Sequence, residues 1–117
     1  PLRVDVRQTM GAAAEQLTET DRHELVVVSG DLPVGIITSN DLLAAQHWPA
    51  ETEVAAWMSC RLLTLPVGMS LSRAAAHALA MDLRHVLVMD DEGMVGLVTA
   101  SDFVRAYADA MPGVTFR

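Results

Sequence analysis

The run Val34, Gly35, Ile36, Ile37, Thr38, Ser39, Asn40, Asp41 returns later in the chain as Val95, Gly96, Leu97, Val98, Thr99, Ala100, Ser101, Asp102. Each run sets a hydroxyl three positions before a carboxylate, behind an apolar stretch of strand character. Where a strand feeds a helix, the free N–H groups of the first turn and the positive end of the dipole favour an anion, and a Thr Oγ adds a hydrogen bond to a phosphate. A carboxylate one turn on accepts from two adjacent hydroxyls, as dinucleotide folds hold a ribose. Thr38 with Asp41, and Thr99 with Asp102, therefore suit a nucleotide. The same spacing is that of a capping box with Asp in place of Glu or Gln, in which both residues only start a helix. On spacing alone both readings stay open.

No other constellation competes with these pairs. His23, His47, His77 and His85 are dispersed, without the close pairing with a second His and a carboxylate that zinc needs. Asp90, Asp91 and Glu92 form an acidic turn without EF-hand spacing, and the seven Met residues read as core filler. No Ser/His/Asp or Cys/His set has local support, so no general acid or base is nominated and catalysis has no sequence argument. The expectation is a non-enzyme.

The elements that must position the two pairs also repeat. Sliding the chain over itself gives a gap-free match at an offset of 61 residues. Val6, Ala13, Ala14, Asp21, Val27, Val34, Gly35, Thr38, Asp41 and Ala45 recur as Val67, Ala74, Ala75, Asp82, Val88, Val95, Gly96, Thr99, Asp102 and Ala106. In the second copy Leu62–Leu65 reads as a strand, Ser70 as the cap of a helix carrying Leu71, Ala74, Ala75, Ala78 and Leu79, and Val86–Met89 as a buried strand. The turn Asp90–Gly93, a returning strand Met94–Val98 and a helix Thr99–Ala108 complete the order βαββα. The first copy runs in parallel: strand Arg3–Val6, helix from Thr9, strand Leu25–Val28, turn Ser29–Asp31, strand Val34–Ile37 and helix Thr38 to about His47. Residues 1–48 thus form one repeat and 58–117 the other, with a short C-terminal extension. Residues 49–57 form a linker with a short helix started by Glu51, Thr52 and Glu53.

Continuous apolar strands such as Val26, Val27, Val28 suit a sheet covered on both faces. Neither half looks able to bury its faces alone, so the fold class is α/β (α+β): two βαββα repeats packed as a pseudo-twofold pair. Length and composition agree. The chain has 117 residues, half of them apolar and a fifth charged, which fits a packed domain and not a disordered one. Lys+Arg number 8 against Asp+Glu 15, a net charge of −7 with every cation an Arg, which argues against duplex DNA or anionic lipid as partner. No apolar run approaches the ~20 residues of a membrane span. A single cysteine, Cys60, excludes an internal disulfide and reads as structural, in keeping with a reducing, cytoplasmic setting. The chain opens on Pro1 without an initiator Met, as an excised module of a larger protein would. Trp48, Trp57, Phe103 and Tyr107 cluster around the linker and last helix, as core or as a dimer face.

With these residues in place, the chain resembles the tandem cystathionine-beta-synthase domain pair, or Bateman module. The match is close in the second copy: Met58, Ser59, Cys60, Thr64 to Gly68, Ser70, Leu71, Ala74 to Ala76, Leu83, Arg84, His85, Val86 to Asp91, Gly93, Val95 to Thr99 and Asp102. The first copy follows it more loosely. The resemblance implies two clefts between the repeats that in this family often bind AMP, ADP, ATP or S-adenosylmethionine, with the Asp on ribose, the Thr near phosphate and the opposite repeat's opening strand against adenine. One cleft would then comprise Thr99, Asp102 and Arg84, with Val4 and Val6 near the base. The other would comprise Thr38, Asp41 and His23, with Leu63, Thr64 and Leu65 near the base. Departures from the family pattern are Leu87 and Val26, where a proline is usual, and His23, which removes a bidentate phosphate partner from the first cleft. The Asp102 cleft is expected to prefer phosphorylated ligands more strongly. The family also implies a homodimer and an attached or separate effector. The competing expectation is a ligand-free dimerisation module whose Thr and Asp pairs only cap helices.

Overall fold

The computed structural model describes residues 1–81, 85–99, 102, 103 and 105. It divides into two units, Pro1–Arg61 and Leu62–Arg117. In the first unit, β1 (Arg3–Asp5), α1 (Met10–Thr20), β2 (Glu24–Ser29), β3 (Leu32–Thr38) and α2 (Ser39–Ala44) follow the expected βαββα order. The second unit repeats it with β4 (Leu62–Pro66), α3 (Leu71–Ala80), β5 (His85–Asp90) and β6 (Gly93–Thr99). Its last helix is represented by the helical residues Asp102, Phe103 and Arg105, and the rest of that expected helix, with Tyr107 and the extension, lies outside the described residues.

Each unit holds a three-stranded sheet in chain order, parallel between its first two strands and antiparallel between the last two. The repeat extends to irregularities. The antiparallel ladder slips between Val27 and Val28 in one unit and between Val88 and Met89, at equivalent positions, in the other. A bulge inserts a residue and tightens local twist, and the first bulge lets Pro33, which has no N–H for a ladder, sit within β3.

Local chemistry accounts for the helices. Thr9 caps α1 by accepting from Ala12 N–H at 3.1 Å, and Ser70 caps α3 by accepting from Arg73 N–H at 3.3 Å. One face of α1 presents Met10, Ala13 and Leu17 to a cluster with Val4, Leu25, Val27 and Ile37, all buried. The alternate residues Val26, Val28 and Ile36 are buried on the sheet's other face, as an uninterrupted apolar run requires.

Four expectations need correction. The helix expected to reach about His47 ends at Ala44, because Trp48 precedes Pro49 and is steered away from helical backbone. The chain then passes through turns in which Trp48 N–H donates to Ala45 O at 2.9 Å. In the segment 49–57 the expected helix is only a 3-10 turn, Val54–Ala56, and Glu53 at its start makes no side-chain cap. Long-range backbone bonds set its path instead. Gly11 N–H donates to Ala50 O at 2.9 Å, Met10 N–H to Thr52 O at 2.7 Å and Val54 N–H to Gln8 O at 2.9 Å. Val54 is fully buried in the first unit's core, and Trp48 meets Trp57 edge-to-face with centroids 5.6 Å apart. The segment ends against β3, where Ile36 and Ser59 exchange two backbone bonds of 2.8 and 2.9 Å. Cys60, expected as structural, is exposed as the chain leaves this bridge, and Met81, expected as core filler, is 56% exposed.

Candidate functional site

Both Thr–Asp pairs are built alike. Asp41 Oδ2 accepts from Thr38 N–H at 2.8 Å and from Thr38 Oγ1 at 3.0 Å, while Thr38 Oγ1 accepts from Asp41 N–H at 3.3 Å. This is a complete capping box. In the second unit Asp102 Oδ2 accepts from Thr99 N–H at 2.9 Å and Thr99 Oγ1 at 3.1 Å. The carboxylate's half of the box is therefore made in both repeats, and it uses one oxygen of each Asp. Asp41 Oδ1 takes no hydrogen bond from the described residues, and Asp102 Oδ1 lies 3.7 Å from the guanidinium of Arg105. A carboxylate carries about four acceptor positions, so each Asp retains the capacity to receive a pair of hydroxyls without surrendering its cap.

The N–H groups at the start of α2 are less available than the sequence suggested. Thr38 N–H is held by Asp41, Ser39 N–H by His23 O at 2.9 Å, and Asp41 N–H by Thr38 Oγ1. The backbone of His23 thus locks the turn between α1 and β2 to the start of α2, and its side chain is exposed. Arg84, its counterpart, lies outside the described residues. Arg105 was not singled out from the sequence. The signal was present, because an acid and a base three apart on a helix face each other, and Ala44 holds the equivalent place in the first repeat. With side chains 73% and 43% exposed, the Arg105–Asp102 pair adds little stability; it places a cation beside one carboxylate and not the other.

The strand residues expected near a base divide by orientation. Val4 is buried in the first unit's core and Val6 packs against that core. Val26 N–H donates to Leu2 O and Val6 N–H to Val28 O, so by the alternation of a parallel ladder the backbone groups of Arg3 and Asp5 face the outer edge of β1. In β4, Val67 N–H donates to Met89 O, so Thr64, whose side chain is exposed, presents its backbone outward, while half-buried Leu63 and Leu65 turn theirs to β5.

The division of labour in the carboxylates yields a stability prediction. Asp41→Ala removes the acceptor for Thr38 N–H and Oγ1 and should cost about 0.5–2 kcal/mol. Asp41→Asn keeps an oxygen for both bonds and should cost less, about 0.3–1 kcal/mol for the lost interaction with the helix dipole. Urea denaturation of the two variants measures the order; equal losses would mean that the bonds to Thr38 contribute nothing.

The family model of the CBS domain matches residues 1–47 and again residues 53–109, which together span most of the chain. The chain belongs to the CBS domain family. Two matches in one chain make it a tandem CBS pair, in line with two three-stranded units of the same topology. Solved structures agree on the fold. A putative signal-transduction protein with CBS domains from Burkholderia ambifaria MC40-6 is 22% identical with a TM-score of 0.73, over 97% of this chain and 86% of that one. An uncharacterized conserved protein from Pyrococcus horikoshii is 24% identical with a TM-score of 0.70, over 97% and 89%. CBSX2, solved in complex with AMP, is 24% identical with a TM-score of 0.66, over 92% and 87%. Among curated proteins none matches the chain. Among the described residues of this CBS pair, no helix is long and apolar enough to cross a membrane, and no three His, Cys, Asp or Glu side chains group as a metal site would.

Proposed function

We propose that this CBS pair is a non-catalytic regulatory module that binds an adenosine-containing ligand, of the class AMP, ADP, ATP or S-adenosylmethionine, at its Thr–Asp pairs and passes occupancy to an effector. The carrying observation is the half-committed carboxylate found twice. Asp41 and Asp102 each spend Oδ2 on a cap, and neither Oδ1 accepts a hydrogen bond from the described residues. Such an oxygen, beside a second with a spare lone pair, is what a vicinal diol needs. AMP in the CBSX2 structure supports the ligand class. In this reading the outward backbone groups of Thr64 and the outward N–H groups of Arg3 and Asp5 serve a base, the carbonyls of Arg3 and Asp5 already accepting from Gln16 Nε2 at 3.0 Å and Gln8 N–H at 2.9 Å. Arg105, with Arg84, biases the Asp102 site toward phosphorylated ligands, whereas the Asp41 site has only His23.

Occupancy becomes a signal only if the ligand binds two arrangements of the pair with different affinity. A homodimer is part of the proposal: Leu43 is 65% and Trp48 59% exposed, and sedimentation should return twice the chain mass. A thermal-shift screen against AMP, ADP, ATP, S-adenosylmethionine and a guanosine nucleotide, with 2′-deoxy-AMP as the diol control, tests the ligand. At 100 times its Kd a ligand adds about 2.7 kcal/mol, a rise of roughly 8 °C or more for a chain of this size. The adenosine ligand should give it and the deoxy analogue should lose most of it. A folded protein that answers none of them supports the second reading, in which the pairs do no more than the capping they visibly perform.

A further inference from the structure

The register of the two antiparallel ladders sets a different residue beside each Thr–Asp pair. Glu24 stands directly opposite Thr38 in the first unit, and His85 stands directly opposite Thr99 in the second. Directly opposed residues of an antiparallel pair share a face, with Cβ atoms about 4.5–5.5 Å apart. Leu25 and Ile37, the next residues along, are buried in the core with α1, so Glu24 and Thr38 lie on the face turned away from it. Both are half-buried. Three positions beyond each carboxylate the units differ again: Ala44 follows Asp41, whereas Arg105 follows Asp102 and sets its guanidinium 3.7 Å from Oδ1. Among the described residues no cation pairs with Glu24 or Asp41. The first pair is therefore set between two negative charges. In the second, a guanidinium balances the carboxylate and an imidazole takes the place of Glu24.

We infer that the two pairs take adenosine ligands of opposite charge: the Asp102 pair an adenine nucleotide such as AMP, and the Asp41 pair a cationic adenosine whose 5′ substituent carries a sulfonium, as in S-adenosylmethionine. The inference rests on the nucleotide reading above. With the ribose on the carboxylate and the 5′ group toward the threonine, that group meets Glu24 in the first unit and His85 in the second. A phosphate at the first pair faces two like charges, and their repulsion grows where water is partly excluded. A sulfonium donates no hydrogen bond and is held by charge, so a carboxylate beside it is the group that tells it from the uncharged thioether left when its methyl is transferred. Glu24 is thus a specificity residue, and the chain reads two ligands instead of one ligand twice.

The test is a titration of the whole chain, labelled with nitrogen-15, with AMP, S-adenosylmethionine, S-adenosylhomocysteine and adenosine in turn. AMP should move the amide signals of Thr99 and Asp102 at lower concentration than those of Thr38 and Asp41, and S-adenosylmethionine should reverse that order. At the Asp41 pair S-adenosylhomocysteine, which lacks the sulfonium charge, should bind about tenfold more weakly than S-adenosylmethionine. Glu24→Gln, which keeps the size of the side chain and removes its charge, should abolish most of that difference and leave adenosine binding as it was. The double variant Glu24→His/Ala44→Arg copies the second unit at two positions and should bring AMP to the Asp41 pair. Two results would overturn the inference and leave the nucleotide reading standing: both charged ligands filling the same pair first, or Glu24→Gln weakening adenosine as much as S-adenosylmethionine. If none of the four, adenosine included, moves the signals of either pair, the nucleotide reading falls and this assignment falls with it.

Discussion

Replacing Val54 with Asp is expected to unfold the first unit. Val54 is fully shielded from solvent, and no charged or polar residue among those described is buried, so a carboxylate there would have no partner. Moving it out of water costs several kcal/mol, about 3–5 by analogy with a buried ion pair that loses its partner. That approaches the whole stability of a small domain, about 5–15 kcal/mol. Relief by swinging the side chain outward is blocked. Val54 N–H is held by Gln8 O, and Val54 O accepts from Trp57 N–H at 3.0 Å and Met58 N–H at 2.8 Å, so the side chain cannot leave unless three backbone bonds break. Val54→Ala, which removes only apolar surface, should cost about 2 kcal/mol. Trp57 reports the transition through its edge contact with Trp48. A Val54→Asp protein with the wild-type urea midpoint would place residues 49–59 outside the first unit's core.

The second large effect is an asymmetry between equivalent glycines. In Gly35→Val the new Cβ meets Met58 Sδ at 2.8 Å and Ser59 O at 2.9 Å. The thioether can swing aside; the carbonyl cannot, because it and Ser59 N–H are both bonded to Ile36. The substitution must push this bridge off β3, giving up two hydrogen bonds worth about 1 kcal/mol each and straining a packed region by about 1–3 kcal/mol. We expect about 3–5 kcal/mol in all. Gly96→Val, at the same motif position, should change stability by no more than about 0.5 kcal/mol. Denaturation midpoints of the pair decide the matter; equal losses would mean that the glycine serves backbone conformation alone and not the approach of Ser59.

Much of this architecture can be read from the chain because its determinants are local. The strand runs around Val27 and Val88, the caps Thr9, Thr38 and Ser70, and the repeat itself depend on residues a few positions apart or on direct self-comparison. The Thr–Asp spacing implied a capping box, and the box is there. What the spacing could not reveal was which oxygen the box leaves over, since that follows from the side-chain rotamer. Residues 49–59 escaped for another reason. Their path is set by bonds to Gln8, Met10, Gly11 and Ile36, partners far away in sequence, and Val54 amid acidic and small residues shows neither helical nor strand periodicity. Arg105 was legible by its spacing from Asp102 but was overlooked beside the motif. Arg84, expected to serve phosphate, lies outside the described residues.

The most direct measurement of the nucleotide-binding proposal is a calorimetric titration of AMP into the wild type and into the double variant Asp41→Asn/Asp102→Asn. The substitutions retain an oxygen for each cap and replace the other with an amide, so folding persists while the acceptors for a diol are lost. The account predicts saturable binding to the wild type, and loss of at least about tenfold in affinity, or 1.4 kcal/mol, in a variant whose thermal midpoint has moved by only a few degrees. Equal affinity for wild type and variant would contradict it, because the ribose would then be held by something other than Asp41 and Asp102.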